Sequence, residues 1–402
     1  MAHSPALVRW LQTLGPGLIT AALVFGPSKL TITSKLGAEY GFSLLWIVPI
    51  AVLFMIVFTT MAGRLGLATE QSLLSSIRER FGKAAATVVG IGVFLVSISF
   101  QAGNAVGVGI AIGEMSHTDA NPWIVLFTLA GIGLLFFRSF YKVLEKAMIT
   151  LIIIMLLSFV TTLLLVQPEP GGMAAGLVPA LPMGSTGLVI AFMASSVSIV
   201  GAFYQSYLVQ ERRKVASQSE QRGNDSITGI VILGTMSAIL LICAATVLHP
   251  QHLKLTSATD MSRVLEPLFG PYASFLFLTG LFGAGFSSLI GNATVGGTLL
   301  GDALGFGSQL SLRPVKYFIA LVMIFGAVIA IVFGRLPLQL IIFAQSVTIF
   351  VVPVIGVSMY MIANDRAIMG DYANGKSARV LGGLGLALII GLALVNVKTL
   401  FF

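Results

Sequence analysis

Residues 147 to 166 read AMITLIIIMLLSFVTTLLLV, twenty positions without a charge, a proline or a glycine. A run of about 20 apolar residues is what a helix needs to cross a bilayer. Ten further apolar segments accompany it. The eleven lie near 13–40, 44–66, 85–113, 121–138, 142–166, 186–210, 226–248, 270–300, 315–334, 336–362 and 378–400. Only 9% of the 402 residues are charged and 56% are hydrophobic. So little polar surface cannot enclose a soluble fold of this length. Long unbroken runs also differ from the in-out alternation of a closed β-barrel. The fold class is therefore an all-α polytopic membrane protein of about eleven transmembrane helices, one transmembrane domain over 1–402. The amino-terminal stretch MAHSPALVRW lacks the charged start, apolar core and small-residue site of a cleavable signal, so the first apolar segment is expected to be retained.

Charge placement sets an orientation. With the amino terminus in the cytoplasm, seventeen of the twenty-three Lys and Arg residues fall on the inner side, among them Arg64, Arg78, Arg80 and Lys83 in one loop. Lys254, Arg263, Arg335 and Lys398 fall outside, and Lys29 and Lys35 lie within the first span. This asymmetry is that of an inner-membrane or plasma-membrane protein with its carboxyl terminus outside, and it accounts for the net charge of +8 without a nucleic-acid partner. Cys243 is the single cysteine, which excludes an internal disulfide or a thiolate cluster. No G-x-x-x-x-G-K-[ST] loop is present, so the chain is not read as an ATP-driven pump, nor as an enzyme, and no cofactor is implied. The expected partners are the lipid bilayer and a small inorganic ion. The sequence leaves the oligomeric state open.

Two spans carry helix breakers near their centres. The first holds Gly26-Pro27-Ser28 followed by Lys29, and the sixth holds Ser195-Ser196, Ser198 and Gly201. A local reading makes the first a kink and the second a small-residue packing face. Spans one and six, however, occupy equivalent places if the fold is two inverted five-helix repeats, here 13–166 and 186–362, with 378–400 as an additional helix. Matching interruptions at such places point to a substrate site at mid-membrane.

Several segments resemble the Nramp family of proton-coupled divalent metal transporters. GPGLITAAL and EYGFSLLW are similar to the family's first two spans, YLVQER to the end of its sixth, LFGAGFSSLIGNATVGG to its eighth, and FAQSVTIFVVPVIG with NDRAIMG to its tenth. The resemblance implies a LeuT-type inverted repeat, spans 1–5 and 6–10, plus one extra helix. It also implies a metal site made by an Asp-Pro-Gly-Asn turn in span one and a Met-Pro-His turn in span six. On that alignment Gly26 stands at the Asp and Lys29 at the Asn, while Ser198, Ile199 and Val200 replace Met, Pro and His. Gln205 stands at a second family His, and Gln101 and Asn104 stand at an acidic pair used for protons.

A count of carboxylates agrees with this departure. None of the fifteen Asp and Glu residues falls at the middle of a span, although Glu39, Glu145, Asp225 and Asp302 lie near span ends. Hard divalent cations favour several oxygen ligands, usually with carboxylates, and softer ones imidazole or sulfur. His249 and His252, in HPQH, have ligand-like spacing, but a Pro-containing loop makes solvent exposure the simpler expectation.

Lys29 stands about 16 residues into its span, roughly 24 Å along a helix, too deep for easy snorkelling. An ionisable group at such a depth is a candidate functional residue. It also opens a half-helix whose free amides and dipole favour an anion. Three roles follow: holding an anion together with Ser28 and Ser198, serving as a tethered cation in place of a metal, or titrating as a carrier. Lys35, four residues before Glu39, is expected to pair with it at the outer mouth.

The leading expectation is a secondary transporter that has lost the family's metal and proton machinery and carries a small anion such as bicarbonate, with sodium as the driving ion. Gly26, Pro27, Ser28, Lys29, Ser195, Ser198, Gly201 and Gln345 would form the substrate site, and Ser287 and Ser288 a sodium site. A divalent cation transporter for manganese or magnesium with an altered site is the alternative, and a receptor-like protein that transports nothing is a third.

Overall fold

The computed structural model describes residues 25–401 apart from 137, 216–224, 253–254, 257, 334–341, 343 and 345–347. Among the described residues the regular structure is entirely helical. In chain order the main helices are α1 (Pro27–Tyr40), α2 (Ile47–Ala68), α3 (Leu73–Ser116), α4 (Ala120–Leu134), α5 (Arg138–Val166), α6 (Thr186–Val197), α7 (Ile199–Val215), α8 (Asp225–Val247), α9 (Ala273–Ala303), α10 (Arg313–Val332), α11 (Val352–Asn364) and α12 (Lys376–Phe401). Seven stretches among them are long and apolar enough to span a bilayer. The inner half of the first expected span and the start of the tenth lie outside the described residues, as does Gln345.

Two sequence expectations change. α3 reaches back to Leu73, so Arg78, Arg80 and Lys83 ride on a helix rather than in a loop. Gly82, with φ 89° and ψ 166°, divides that helix, a conformation open essentially to glycine alone. The HPQH segment is a short 3-10 turn in which His249 is half-buried, its Nδ1 2.9 Å from the Ala38 carbonyl oxygen; only His252 of the two is exposed.

The helices sort into two groups. α9 lies along α3, and α4, α5 and α10 complete that group. In the other, α7 lies against α2, and α1 is held by α8 and α6. With little hydrophobic drive between helices in lipid, close approach depends on small residues at the contacts. Gly37 meets the backbone of α8 at Leu241 and Ala245. The Pro27 ring fits against Gly107 of α3 and Gly285 of α9, where added methyl groups would collide with it. That contact fixes the start of α1 against the other group.

Polar contacts gather at one end of the bundle. There Arg64 donates to Asn374 Oδ1 over 2.8 Å, Arg80 pairs with Asp365 at 2.8 Å, and Arg213 donates to the Leu67 carbonyl over 2.9 Å. Lys35 pairs with Glu39 at 3.3 Å, in the last turns of α1.

Candidate functional site

Both interruptions are visible in the backbone. Gly26 is extended, with φ −78° and ψ −177°, and Pro27 opens α1, where its missing N–H costs nothing. Ser198 separates α6 from α7 in the left-handed region, with φ 41° and ψ 53°, a conformation costing a non-glycine residue on the order of 1–3 kcal/mol. The Gly26 carbonyl accepts from the amides of Lys29 and Leu30, at 3.0 and 3.1 Å. It therefore serves the first turn of α1.

A cavity of about 110 Å³ lies between the two helix groups, at both breaks. One wall carries Gly26, Ser28, Lys29, Ser195, Ser198, Val200, Gly201, Tyr204, Gln205 and Leu208; the other carries Phe100, Asn104, Gly291, Asn292 and Val295. Its polar groups are neutral amides and hydroxyls apart from Lys29. Ser28 Oγ is buried and has no hydrogen-bond partner among the described residues, and an unmatched buried hydroxyl costs about 1–3 kcal/mol. It is therefore ready to bind a ligand or water. Ser195 Oγ instead donates to the Phe192 carbonyl over 3.0 Å.

Lys29 is placed differently from what anion capture requires. Its ammonium donates to Ser196 Oγ and lies 3.5 Å from the centroid of the Phe192 ring. Ser196 and Phe192 belong to α6 and line a second, narrower cleft with Val48, Gly234 and Ser237. The lysine stem thus borders the central cavity while its charge points into the side cleft. Ser28 and Ser198 line the central cavity, whereas the hydroxyl that meets the lysine is that of Ser196.

Other expected residues separate likewise. Pro27 packs against Gly107 and Gly285 instead of lining the cavity. Ser288 is beside Gly26: a Cβ on Gly26 would come 2.8 Å from Ser288 Oγ and 3.1 Å from Asn104 Oδ1. Ser287, one residue earlier on the same helix, is half-buried, and neither serine is among the residues that line the cavity. Asn104, Val200 and Gln205, which replace the family's proton-path residues, do line the cavity. Gln101 does not. Its Nε2 donates to the Leu289 carbonyl over 2.9 Å and its Oε1 accepts from Asn292 Nδ2 at 3.1 Å, so it ties α3 to α9. Among the described residues no three His, Cys, Asp or Glu side chains come together as a metal cluster.

The sequence reading missed Phe100, Tyr204, Leu208, Gly291, Asn292 and Val295. A helical stripe marks those on α7 and those on α9. Gly201, Tyr204, Gln205 and Leu208 follow i, i+3, i+4 and i+7, as do Ser288, Gly291, Asn292 and Val295.

Broken helices meeting at a cavity between two helix groups define a membrane transporter of the inverted-repeat class. Its fold has solved counterparts. A mutant of the Eremococcus coleocola manganese transporter matches with TM-score 0.75 at 19% identity, covering 98% of this chain and 88% of that one. The nucleobase-cation-symport-1 family transporter MHP1 matches with TM-score 0.63 at 13% identity, covering 96% and 92%. The fold is thus the LeuT-like one. The family model described as natural resistance-associated macrophage protein-like matches residues 17–399, and the chain belongs to that Nramp family. It is 26% identical over 398 residues to a divalent metal cation transporter MntH of Deinococcus radiodurans, covering 96% of this chain and 89% of that protein. It is also 26% identical over 412 residues to the MntH of Chromohalobacter salexigens, covering 100% and 94%.

Proposed function

We propose that this Nramp-family transporter carries a hard divalent cation, magnesium or manganese, together with part of its water shell. The observation that carries this reading is the division of labour at the break. The central cavity presents neutral oxygens, including the unmatched Ser28 hydroxyl, while the Lys29 charge is bound to Ser196 and Phe192 in the side cleft. A lining without carboxylate, imidazole or thioether binds a bare transition metal weakly. Magnesium gives up water reluctantly and is usually held with several waters in place. A cavity of about 110 Å³ has room for an ion with some of that water. The names of the relatives, divalent metal cation transporters and a manganese transporter, support a cation as cargo.

Bicarbonate moved with sodium is the second reading, favoured by the lysine stem at the cavity wall and the absence of a described carboxylate there. The basic end of the bundle, with Arg64, Arg78 and Arg80, is the cytoplasmic one in either reading. Neither route contains a described His, Asp or Glu at the cavity, so flux is expected without proton movement along the family's path.

The test is flux into proteoliposomes of purified protein, comparing magnesium, manganese and bicarbonate, with and without a sodium gradient. Saturable magnesium or manganese uptake that survives Lys29→Met supports the cation reading. Sodium-dependent bicarbonate uptake that Lys29→Met abolishes overturns it and selects the anion. A folded protein that moves none of the three ions rejects both.

A further inference from the structure

Among the described residues, Lys29 and Asp302 are the buried side chains of the Asp, Glu, Lys and Arg types. Asp302 lies in the last turn of α9, away from the breaks. Tyr207 of α7 donates its hydroxyl hydrogen to Asp302 Oδ2 over 2.6 Å. The same hydroxyl oxygen faces the Leu74 amide of α3 at 3.4 Å. Arg78, one turn further along α3, donates to the carbonyl oxygens of Asp302 and Ala303, at 3.0 and 2.8 Å. Three helices from the two groups are thus fastened around one phenol.

That phenol is connected to the cavity. Tyr207 stacks on the cavity-lining Tyr204, with ring centroids 6.2 Å apart and planes inclined by 15°, and it adjoins Leu208, another lining residue. Both rings ride on α7, which begins at the Ser198 interruption. Rotating α7 about that interruption would carry the Tyr207 hydroxyl away from Asp302. A hydrogen bond to a buried carboxylate is among the stronger single bonds available to hold such a helix, because the acceptor is charged.

We infer that Tyr207 and Asp302 form a latch that closes the basic end of the cavity and sets the rate at which the cavity opens there. Asp302 acts as a positioning residue through its acceptor oxygen, not as an ion ligand. The inference rests on reading the cavity as the transport path but not on which ion uses it.

The experiment places a reporter cysteine at Leu208 in a Cys243→Ala background and follows its reaction with a bulky polar maleimide in lipid nanodiscs, without any transported ion. Tyr207→Phe keeps the ring and its stacking but loses the donor. It should speed labelling about tenfold or more, the factor that a bond to a charged group corresponds to. Asp302→Ala should do the same, whereas Asp302→Asn, which keeps an acceptor oxygen but not its charge, should label at a rate between those of the parent and Tyr207→Phe. Thermal unfolding of each variant separates opening from loss of fold, and Tyr207→Phe with Asp302→Asn suffices if Asp302→Ala does not fold. Parent-rate labelling of a folded Tyr207→Phe protein would overturn the latch. So would labelling of Asp302→Asn as fast as that of Tyr207→Phe, because the charge rather than the hydrogen bond would then be responsible. Failure of the flux assay leaves these rates unaffected, so the two ideas stand or fall separately.

Discussion

Lys29 Nζ lies 3.5 Å from the centre of the Phe192 ring and donates to Ser196 Oγ, so the charge deepest in the first half-helix is held by the facing half-helix α6. A desolvated cation over an aromatic face is worth about 2 kcal/mol or more. Ser196→Ala strips the ammonium of its oxygen partner and should lower stability by roughly 1–3 kcal/mol. Lys29→Met with Ser196→Ala replaces both partners by apolar groups and should lose less than Ser196→Ala alone. Thermal unfolding in detergent reads both. A double variant weaker than the single would show that the pair is not a unit.

Gly26 sits where the family's Asp would stand, with Ser288 Oγ and Asn104 Oδ1 filling the space a side chain would take. Gly26→Asp alone forces the Ser288 hydroxyl to rotate and should cost some stability. Gly26→Asp with Ser288→Ala removes the closest of the contacts a side chain would meet and brings a carboxylate to the cavity. Divalent affinity measured by calorimetry should rise about tenfold or more, since hard cations are held mainly by carboxylate oxygens. Unchanged affinity in the double variant would show that cargo does not bind at this break.

Gln101 occupies an expected proton-path position, but both ends of its amide are engaged by α9. In Gln101→Glu an ionised carboxylate would face the Leu289 carbonyl that Nε2 now serves. The expected result is a loss of roughly 1–3 kcal/mol in stability with no gain of proton flux in a pH-dye assay. Acidification tracking metal uptake in this variant would instead show that one carboxylate restores the path.

At the Pro27 contact, Gly107→Val inserts methyl groups into the ring's place. Overpacking of this kind costs about 1–3 kcal/mol. Because α1 is the element displaced, transport should fall more than thermal stability does. Wild-type flux at wild-type affinity would mean that the position of α1 does not control the site.

The spans and both interruptions were legible because lipid imposes length and apolarity on every crossing helix, and because Gly26-Pro27 and the serines around 195–198 break that pattern locally. The direction of Lys29 was not. A lysine at the start of a half-helix can swing toward either neighbouring cleft, and the choice depends on Ser196 and Phe192, 167 and 163 positions away in sequence. The same holds for Ser287 and Ser288. Adjacent residues on a helix face about 100° apart, and only packing decides which one turns inward. The second cavity wall was partly readable from its i, i+3, i+4, i+7 stripes, but those stripes resemble ordinary core until the partner helix is known.

Gly82 gives α3 two mechanical identities. Beyond it the helix runs beside α9 through Gln101 and Asn104; before it, the segment from Leu73 to Phe81 carries the Leu74 amide and the Arg78 guanidinium that surround Tyr207. A straight helix would transmit any displacement of its first turns along its full length. Glycine at the junction absorbs that displacement locally, so the closure at one end can be undone and remade while the lining at mid-membrane keeps its shape.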